Sequence, residues 1–226
     1  MLAARAVILD FNGTLAGDEA VLIGIYAELL REHGIPFAAE DYPRFAGVPD
    51  HQMFGEVFEA HGRPLEAATA DRLLRERVGR YRSAVSDRHP VAEDTVAFVH
   101  ALAAEVPVGI ASGAFREEIE HVLELAGLTE LVSVIVSIDE VRDGKPHPES
   151  FTAALAHINR ERPEKSAPEH TVVVEDATDG ARAARAAGMR CVAIRGSTYD
   201  EGSGLAELVV DRLTAELARE LLRTEP

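Results

Sequence analysis

The sequence predicts an α/β fold, a parallel sheet covered by helices on both faces, with an all-helical segment inserted after the first strand. Three observations carry this. From residue 93 onward short apolar runs alternate with helical patterns, the order that builds a parallel sheet buried on both sides. Residues 19–85 show helical periodicity and no strand pattern. The chain opens on an apolar run, Ala6 to Leu9, that ends on Asp10 and turns through Asn12-Gly13, the pattern of a buried strand.

The 226 residues suffice for one large domain or a domain with an inserted lobe. With 46% hydrophobic and 27% charged residues the chain can bury a sizeable core. Its net charge of −16 argues against nucleic acid or an anionic membrane as a partner, because both demand a basic surface. Any anion it binds needs a locally positive site or a metal. Cys191 is the single cysteine and sits in an apolar segment, which makes it a core residue and excludes an internal disulfide. No signal-peptide pattern and no apolar run of spanning length is present, so the expected location is cytoplasmic. The nine histidines have no metal-type spacing.

Asp18-Glu19 reads as a hinge and helix start. Leu22, Ile25, Leu29 and Leu30 then recur at helical spacing up to Gly34. A second helix starts at Pro49, carries Met53, Phe54, Val57 and Phe58 and ends near Gly62; a third runs from Glu66 to Val85. Ser86 to Pro90 is the returning linker. Helices follow over 93–104, 116–126, 148–158, 179–187 and 214–222. Strands are expected over 106–111, 131–138, 171–175, 190–194 and 208–210, with a polar loop over 161–170.

Residues with chemical potential stand at the strand ends. Asp10 ends the first, and Ser112-Gly113 the second. Lys145 lies in Gly144-Lys145-Pro146-His147-Pro148 after the third, and Glu175-Asp176 end the fourth. A parallel sheet puts all strand ends of one kind on one edge, where open α/β sheets bind ligands. Each residue alone has a plain explanation as an ion pair or a helix cap. Their joint order does not.

This set resembles the haloacid dehalogenase (HAD) superfamily of phosphotransferases over essentially the whole chain. The motifs are Asp10-Phe11-Asn12-Gly13-Thr14-Leu15, Ile110-Ala111-Ser112-Gly113, Gly144-Lys145-Pro146-His147-Pro148 and Val174-Glu175-Asp176-Ala177-Thr178-Asp179-Gly180. The helical segment looks like the small cap of beta-phosphoglucomutase-like members. The resemblance implies a Rossmann-like core over 1–15 and 87–226 and a cap over 16–86. It implies a magnesium-dependent phosphohydrolase for a small phosphorylated metabolite, working as a monomer or homodimer. Asp10 would be the nucleophile that forms an aspartyl phosphate. Asp10, Asp176 and the Asn12 carbonyl would hold Mg2+, with Glu175 reaching it through a bound water. Lys145 would steady Asp10 and the phosphoryl group, while Ser112 and the amides of Phe11, Asn12 and Gly113 would cradle it. Of the insert, Arg44, Phe45, His51 and Arg63 are the side chains considered for the substrate.

The first motif departs from the family at Asn12, where the phosphatases carry a second aspartate that protonates the leaving oxygen. That help is worth roughly 100- to 10,000-fold, and an amide cannot give it. Four explanations stand at this level: a leaving group that needs no proton, such as an acyl phosphate; a proton from another group; an impaired or non-catalytic phosphate-binding protein; or a residue altered to trap a complex. A phosphomutase is a further alternative, which Asn12 disfavours. An Asn12→Asp substitution is expected to raise activity on ordinary phosphate monoesters.

Overall fold

The computed structural model describes residues 2–45, 48–160 and 162–223. After strand β1 (Ala6–Leu9) the chain leaves the sheet for helices α1 (Glu19–Glu32), α2 (Asp50–Ala60) and α3 (Ala67–Val85). It returns through α4 (Glu93–Ala103) and then alternates: β2 (Val108–Ala111), α5 (Arg116–Leu125), β3 (Val132–Val136), α6 (Glu149–Arg160), β4 (Thr171–Ala177), α7 (Thr178–Ala186), β5 (Arg190–Thr198), β6 (Leu208–Val210) and α8 (Ala215–Leu222). All the strands pair in parallel, in the order β3-β2-β1-β4-β5-β6. Among the described residues no helix is long and apolar enough to cross a membrane.

Strand alternation sorts the two faces. Val7 and Leu9 join Phe98, Ile119 and Leu221 on the α4, α5 and α8 side. Ala6 and Ile8 join Phe151, Leu155 and Ala184 on the α6 and α7 side. All four β1 side chains are fully buried, each large one contributing about 1.5–3 kcal/mol. Because β2 lies on one side of β1 and β4 on the other, the chain reverses its winding there. The carboxyl ends of β1 and β4 therefore flank a crevice.

Several element ends differ from the sequence expectation. β2 starts at Val108 because Pro107 has no N–H for the ladder. β3 is shorter than 131–138, with 3-10 turns at Thr129–Leu131 and Ile138–Glu140 closing it on both sides. β4 and β5 run longer than expected, resuming at the pair Ala177 and Thr198 after a register shift. In that shift the Glu175 carboxylate folds back to accept the N–H groups of Asp176 and Ala177, both at 2.8 Å. Of the loop read at 161–170, residue 161 lies outside the described residues, and the loop ends in a 3-10 turn at Pro168–His170.

The insert shares its core with one face of the sheet. A single apolar cluster runs from Leu9 and Phe11 through Leu22 and Leu29 to Phe54 and Leu73. One charged residue interrupts the buried stripe of α3: Arg77, four residues from both Leu73 and Tyr81, is 3% exposed. Its guanidinium pairs with Glu118 of α5. Its Nε lies 3.0 Å from Asp50 Oδ2 of α2, an ion pair without hydrogen-bond alignment. Burial pushes the Glu118 carboxyl up to about 7 against the pull of Arg77. Arg77 itself is held protonated by Tyr26, Asp50 and Glu118 despite its burial. Glu118 is thus the member that titrates.

A carboxyl whose folded pKa is raised favours folding below its unfolded pKa and loses that contribution as pH rises through the folded value. Glu118 should therefore give the wild type a fall in stability between about pH 4.5 and 7, amounting to about 3 kcal/mol at most. Glu118→Gln, which cannot titrate, should lose this slope. Melting temperatures at pH 5 and 7.5 check it: the variant-minus-wild-type difference should be more favourable to the variant at the higher pH, and the reverse order would refute the assignment.

Candidate active site

The turn after β1 is built to present Asp10. The Asp10 N–H still donates to Val174 O at 2.9 Å, so the residue is fixed as the last rung against β4. The chain then doubles back: Ala16 N–H donates to Phe11 O at 2.9 Å and Gly13 N–H to Ala16 O at 2.7 Å. Gly13 has φ +76°, and a Cβ there would meet the Asp176 carboxylate at 2.0 Å. Only glycine gives both the backbone conformation and the room. Gly180 in the first turn of α7 plays the same part against Glu175, at 1.8 Å.

Lys145 lies between the two carboxylates. Its Nζ donates to Asp10 Oδ1 and to Glu175 Oε1, both at 2.5 Å. The three side chains are 10%, 9% and 1% exposed. Burial works against the ammonium, but Asp10 and Glu175 more than offset it, so its pKa is raised. Burial pushes Asp10 up to about 6; Lys145 lowers it and Glu175 raises it. Asp176 accepts from Thr14 Oγ1 at 3.3 Å. Three buried acids against one lysine leave an excess of negative charge, which is costly in a low dielectric.

Asp10, Glu175 and Asp176 can each offer an oxygen within 4.8 Å of one another. The donors are hard oxygens, as Mg2+ requires, and Gly13 leaves space against Asp176 that any side chain would fill. The residues present therefore fit a divalent cation. Both Glu175 oxygens are already engaged, by Lys145 and by two backbone amides.

The remaining sequence candidates gather around the same point. Ser112 is buried, and its Oγ accepts from Ala114 N–H at 3.2 Å, which leaves its O–H to donate elsewhere. Gly113 is exposed, with open space at its Cα. Phe11 is fully buried in the core, so only its backbone can serve the site. Asn12 lines the cleft, and its Nδ2 donates to Asp18 Oδ2 at 2.7 Å.

Asp18 is a residue that sequence reasoning took only as a hinge. It is fully buried, also accepts from the Tyr81 hydroxyl, and its Oδ1 has no partner. Burial pushes it up to about 6, against the hydrogen bonds from Tyr81 and Asn12.

Above these residues lies an open cleft. Its other wall is the helical insert. Phe45, considered from the sequence, does line it; Arg44, His51 and Arg63 are exposed and do not. Tyr26, Tyr42, Met53, Asp50 and Arg77 line it and were missed. For Arg77 the signal was present, a charge on an apolar helical stripe. The Ser150 hydroxyl at the start of α6 also lines the cleft, buried without a protein partner.

Residues 4–188 match the family model described as haloacid dehalogenase-like hydrolase. The chain is 29% identical over 205 residues to a validoxylamine A 7'-phosphate phosphatase of Streptomyces hygroscopicus subsp. limoneus, covering 90% of each chain. It is 25% identical over 203 residues to a phosphorylated carbohydrates phosphatase of Thermotoga maritima, again covering 90% of each. The crystal structure of a beta-phosphoglucomutase from Clostridium difficile superposes with a TM-score of 0.82 at 20% identity, covering 97% of both chains.

Removing Lys145 from its two acids leaves buried charge uncompensated. Lys145→Met should destabilise the protein by roughly 3–5 kcal/mol, and adding Glu175→Gln should recover part of the loss. Denaturant midpoints in the presence of a chelator read both; a midpoint unmoved by Lys145→Met would refute the coupling.

Proposed function

The chain belongs to the haloacid dehalogenase-like hydrolases, and on that premise we propose that it is a magnesium-dependent phosphohydrolase of a small phosphorylated metabolite. The observation that carries this reading is the meeting of Asp10, at the crevice between β1 and β4, with Lys145 and Asp176, which lie 135 and more residues further along the chain. The phosphatase names of its relatives support it. In this reading residues 1–15 and 87–226 are the catalytic core and residues 16–86 a cap over the cleft.

Asp10 attacks phosphorus, forms an acyl phosphate and is released by water. Lys145 holds the attacking oxygen in place and offsets charge on the phosphoryl group. The Ser112 hydroxyl and the amide of Gly113 hydrogen-bond phosphoryl oxygens. Asp10, Asp176 and the Asn12 carbonyl would hold Mg2+, which offsets the negative charge of nucleophile and phosphate when bound. The cap keeps bulk water from the acyl phosphate.

Asn12 holds no proton to give, and Asp18, though protonatable, lies beneath it with no exposure to the cleft. Turnover then depends on how well the leaving oxygen departs unaided. The same contact changes what an Asn12→Asp substitution does, since the new carboxylate would stand 2.7 Å from Asp18. Relief of Asp18 has to accompany it.

Phosphate release should require Mg2+, stop with chelator and vanish in Asp10→Ala; activity retained in that variant removes Asp10 as nucleophile. Across aryl, acyl and alkyl phosphates, kcat/KM should fall steeply as the leaving group becomes more basic. Asn12→Asp/Asp18→Asn should flatten that dependence and raise alkyl-phosphate turnover by roughly 100-fold, more than Asn12→Asp alone. An unchanged leaving-group slope in the double variant would show that the proton comes from elsewhere.

A further inference from the structure

The cleft carries a charge rule for the part of the substrate that is not phosphate. Among the described residues that line it, the cations are Lys145 and Arg77, and the acids are Asp10, Glu19, Asp50, Glu175, Asp176 and Asp179. Lys145 is engaged by Asp10 and Glu175. Arg77 faces the cleft from the insert but is consumed by its own surroundings. Glu118 takes one guanidinium nitrogen, Asp50 stands against another, and the Tyr26 hydroxyl lies 3.4 Å from the third. The rings of Tyr26 and Tyr81 flank its charge at 5.7 and 5.6 Å. Neither cation is left to meet a second anionic group. A divalent cation among the core carboxylates would halve the acid excess without reversing it.

The wall opposite the phosphate end combines two chemistries. Leu22, Tyr42, Phe45, Val48 and Met53 give it an apolar, partly aromatic surface. Glu19 and Asp50 set carboxylates into that surface from the first turns of α1 and α2. The Tyr42 hydroxyl is kept protonated, by burial first and then by the charges of Glu19, Asp18 and Asp176, so it remains a donor. A ring with an apolar C–H face and hydroxyl or ammonium groups at its edge satisfies such a wall. A phosphate or carboxylate at the same place would be desolvated against two acids.

We propose that this cleft selects phosphate monoesters whose remaining part is a neutral or amine-bearing polyol ring, and that the acid excess of its lining excludes substrates with a second anionic group, Glu19 by its own charge and Asp50 by neutralising Arg77. The proposal rests on the phosphohydrolase reading for the orientation of the ligand, phosphate towards Lys145 and ring towards the insert. Like charges brought together at a binding site cost several kcal/mol, on the order of 100-fold in affinity. Asp50 acts through Arg77: the Tyr26 hydroxyl donates to its Oδ1 at 2.5 Å and Arg77 stands against its Oδ2, so it keeps that cation from a ligand. Its removal should give a second anion a partner.

The test measures binding separately from turnover. With Mg2+ present, calorimetry on Asp10→Asn protein would compare three matched pairs: glucose 6-phosphate with glucose 1,6-bisphosphate, fructose 6-phosphate with fructose 1,6-bisphosphate, and ribose 5-phosphate with ribose 1,5-bisphosphate. Glucosamine 6-phosphate is the amine-bearing probe. The same ligands are assayed for phosphate release by the otherwise unaltered protein. Each bisphosphate should bind on the order of 100-fold more weakly than its monoester, and glucosamine 6-phosphate at least as tightly as glucose 6-phosphate. Asp50→Asn should shrink the bisphosphate penalty about tenfold; Glu19→Gln, which leaves the Arg77 network intact, should shrink it less and abolish the amine preference. Bisphosphates bound as well as monoesters overturn the proposal, as does a penalty unchanged in both variants. The binding order kept while no phosphate is released from these ligands or from an acyl or aryl phosphate upholds the charge rule and sinks the hydrolase reading. No binding of any monoester by the Asp10→Asn protein, together with no phosphate release from any of them or from an acyl phosphate by the otherwise unaltered protein, sinks both.

Discussion

Everything at the sheet edge depends on one ammonium group placed between two carboxylates. Lys145 reaches Asp10 and Glu175 at 2.5 Å each, in a place where none of the three is more than about a tenth exposed. Removed from water, those charges hold one another or destabilise the fold. The topology makes the contact possible, because Asp10 ends β1 and Glu175 lies near the end of β4 on adjacent strands. Glu175 serves as a strut for Lys145 and for the turn that follows it. Asp176 is left beside Gly13, facing the same space as Asp10. A divalent cation held there would relieve that surplus of buried negative charge.

A second buried cation does a comparable job away from the chemistry. Arg77 fastens the helical insert to α5 through Glu118 and, within the insert, α3 to α2 through Asp50. It therefore fixes where the insert's wall stands relative to the sheet edge. It also removes its own charge from the ligand's reach. The insert's side of the cleft thus carries aromatic rings and acids, while the core's side carries Lys145 and hydrogen-bond donors.

The sequence carried the fold well where patterns are local. β1 and β6 fall as expected, since their apolar runs are bounded by turn residues. Ends moved where a single residue overrode the pattern: Pro107 shortened β2, and the inward fold of Glu175 lengthened β4 beyond its apolar stretch. The candidate site residues were legible because the parallel topology gathers strand ends. What could not be read was pairwise and long-range. The contact of Asn12 with Asp18 spans a turn whose geometry is set by Gly13, and Arg77 meets Glu118 across 41 positions. Arg44, His51 and Arg63 could face a substrate by residue type but read more readily as surface or core, and all three are exposed. Tyr42 and Asp50 had no local mark at all, and only packing of the insert over the sheet edge brings them to the cleft.

The central claim is that the phosphoryl group passes through the carboxylate of Asp10. An acyl phosphate is reduced by borohydride to the corresponding alcohol, so quenching the enzyme during turnover with borohydride and sequencing its peptides by mass spectrometry reads the claim directly. The account predicts homoserine at position 10, dependent on substrate and Mg2+ and absent when either is withheld. Steady phosphate release with position 10 unmodified, or with the reduced residue at another carboxylate, would contradict it.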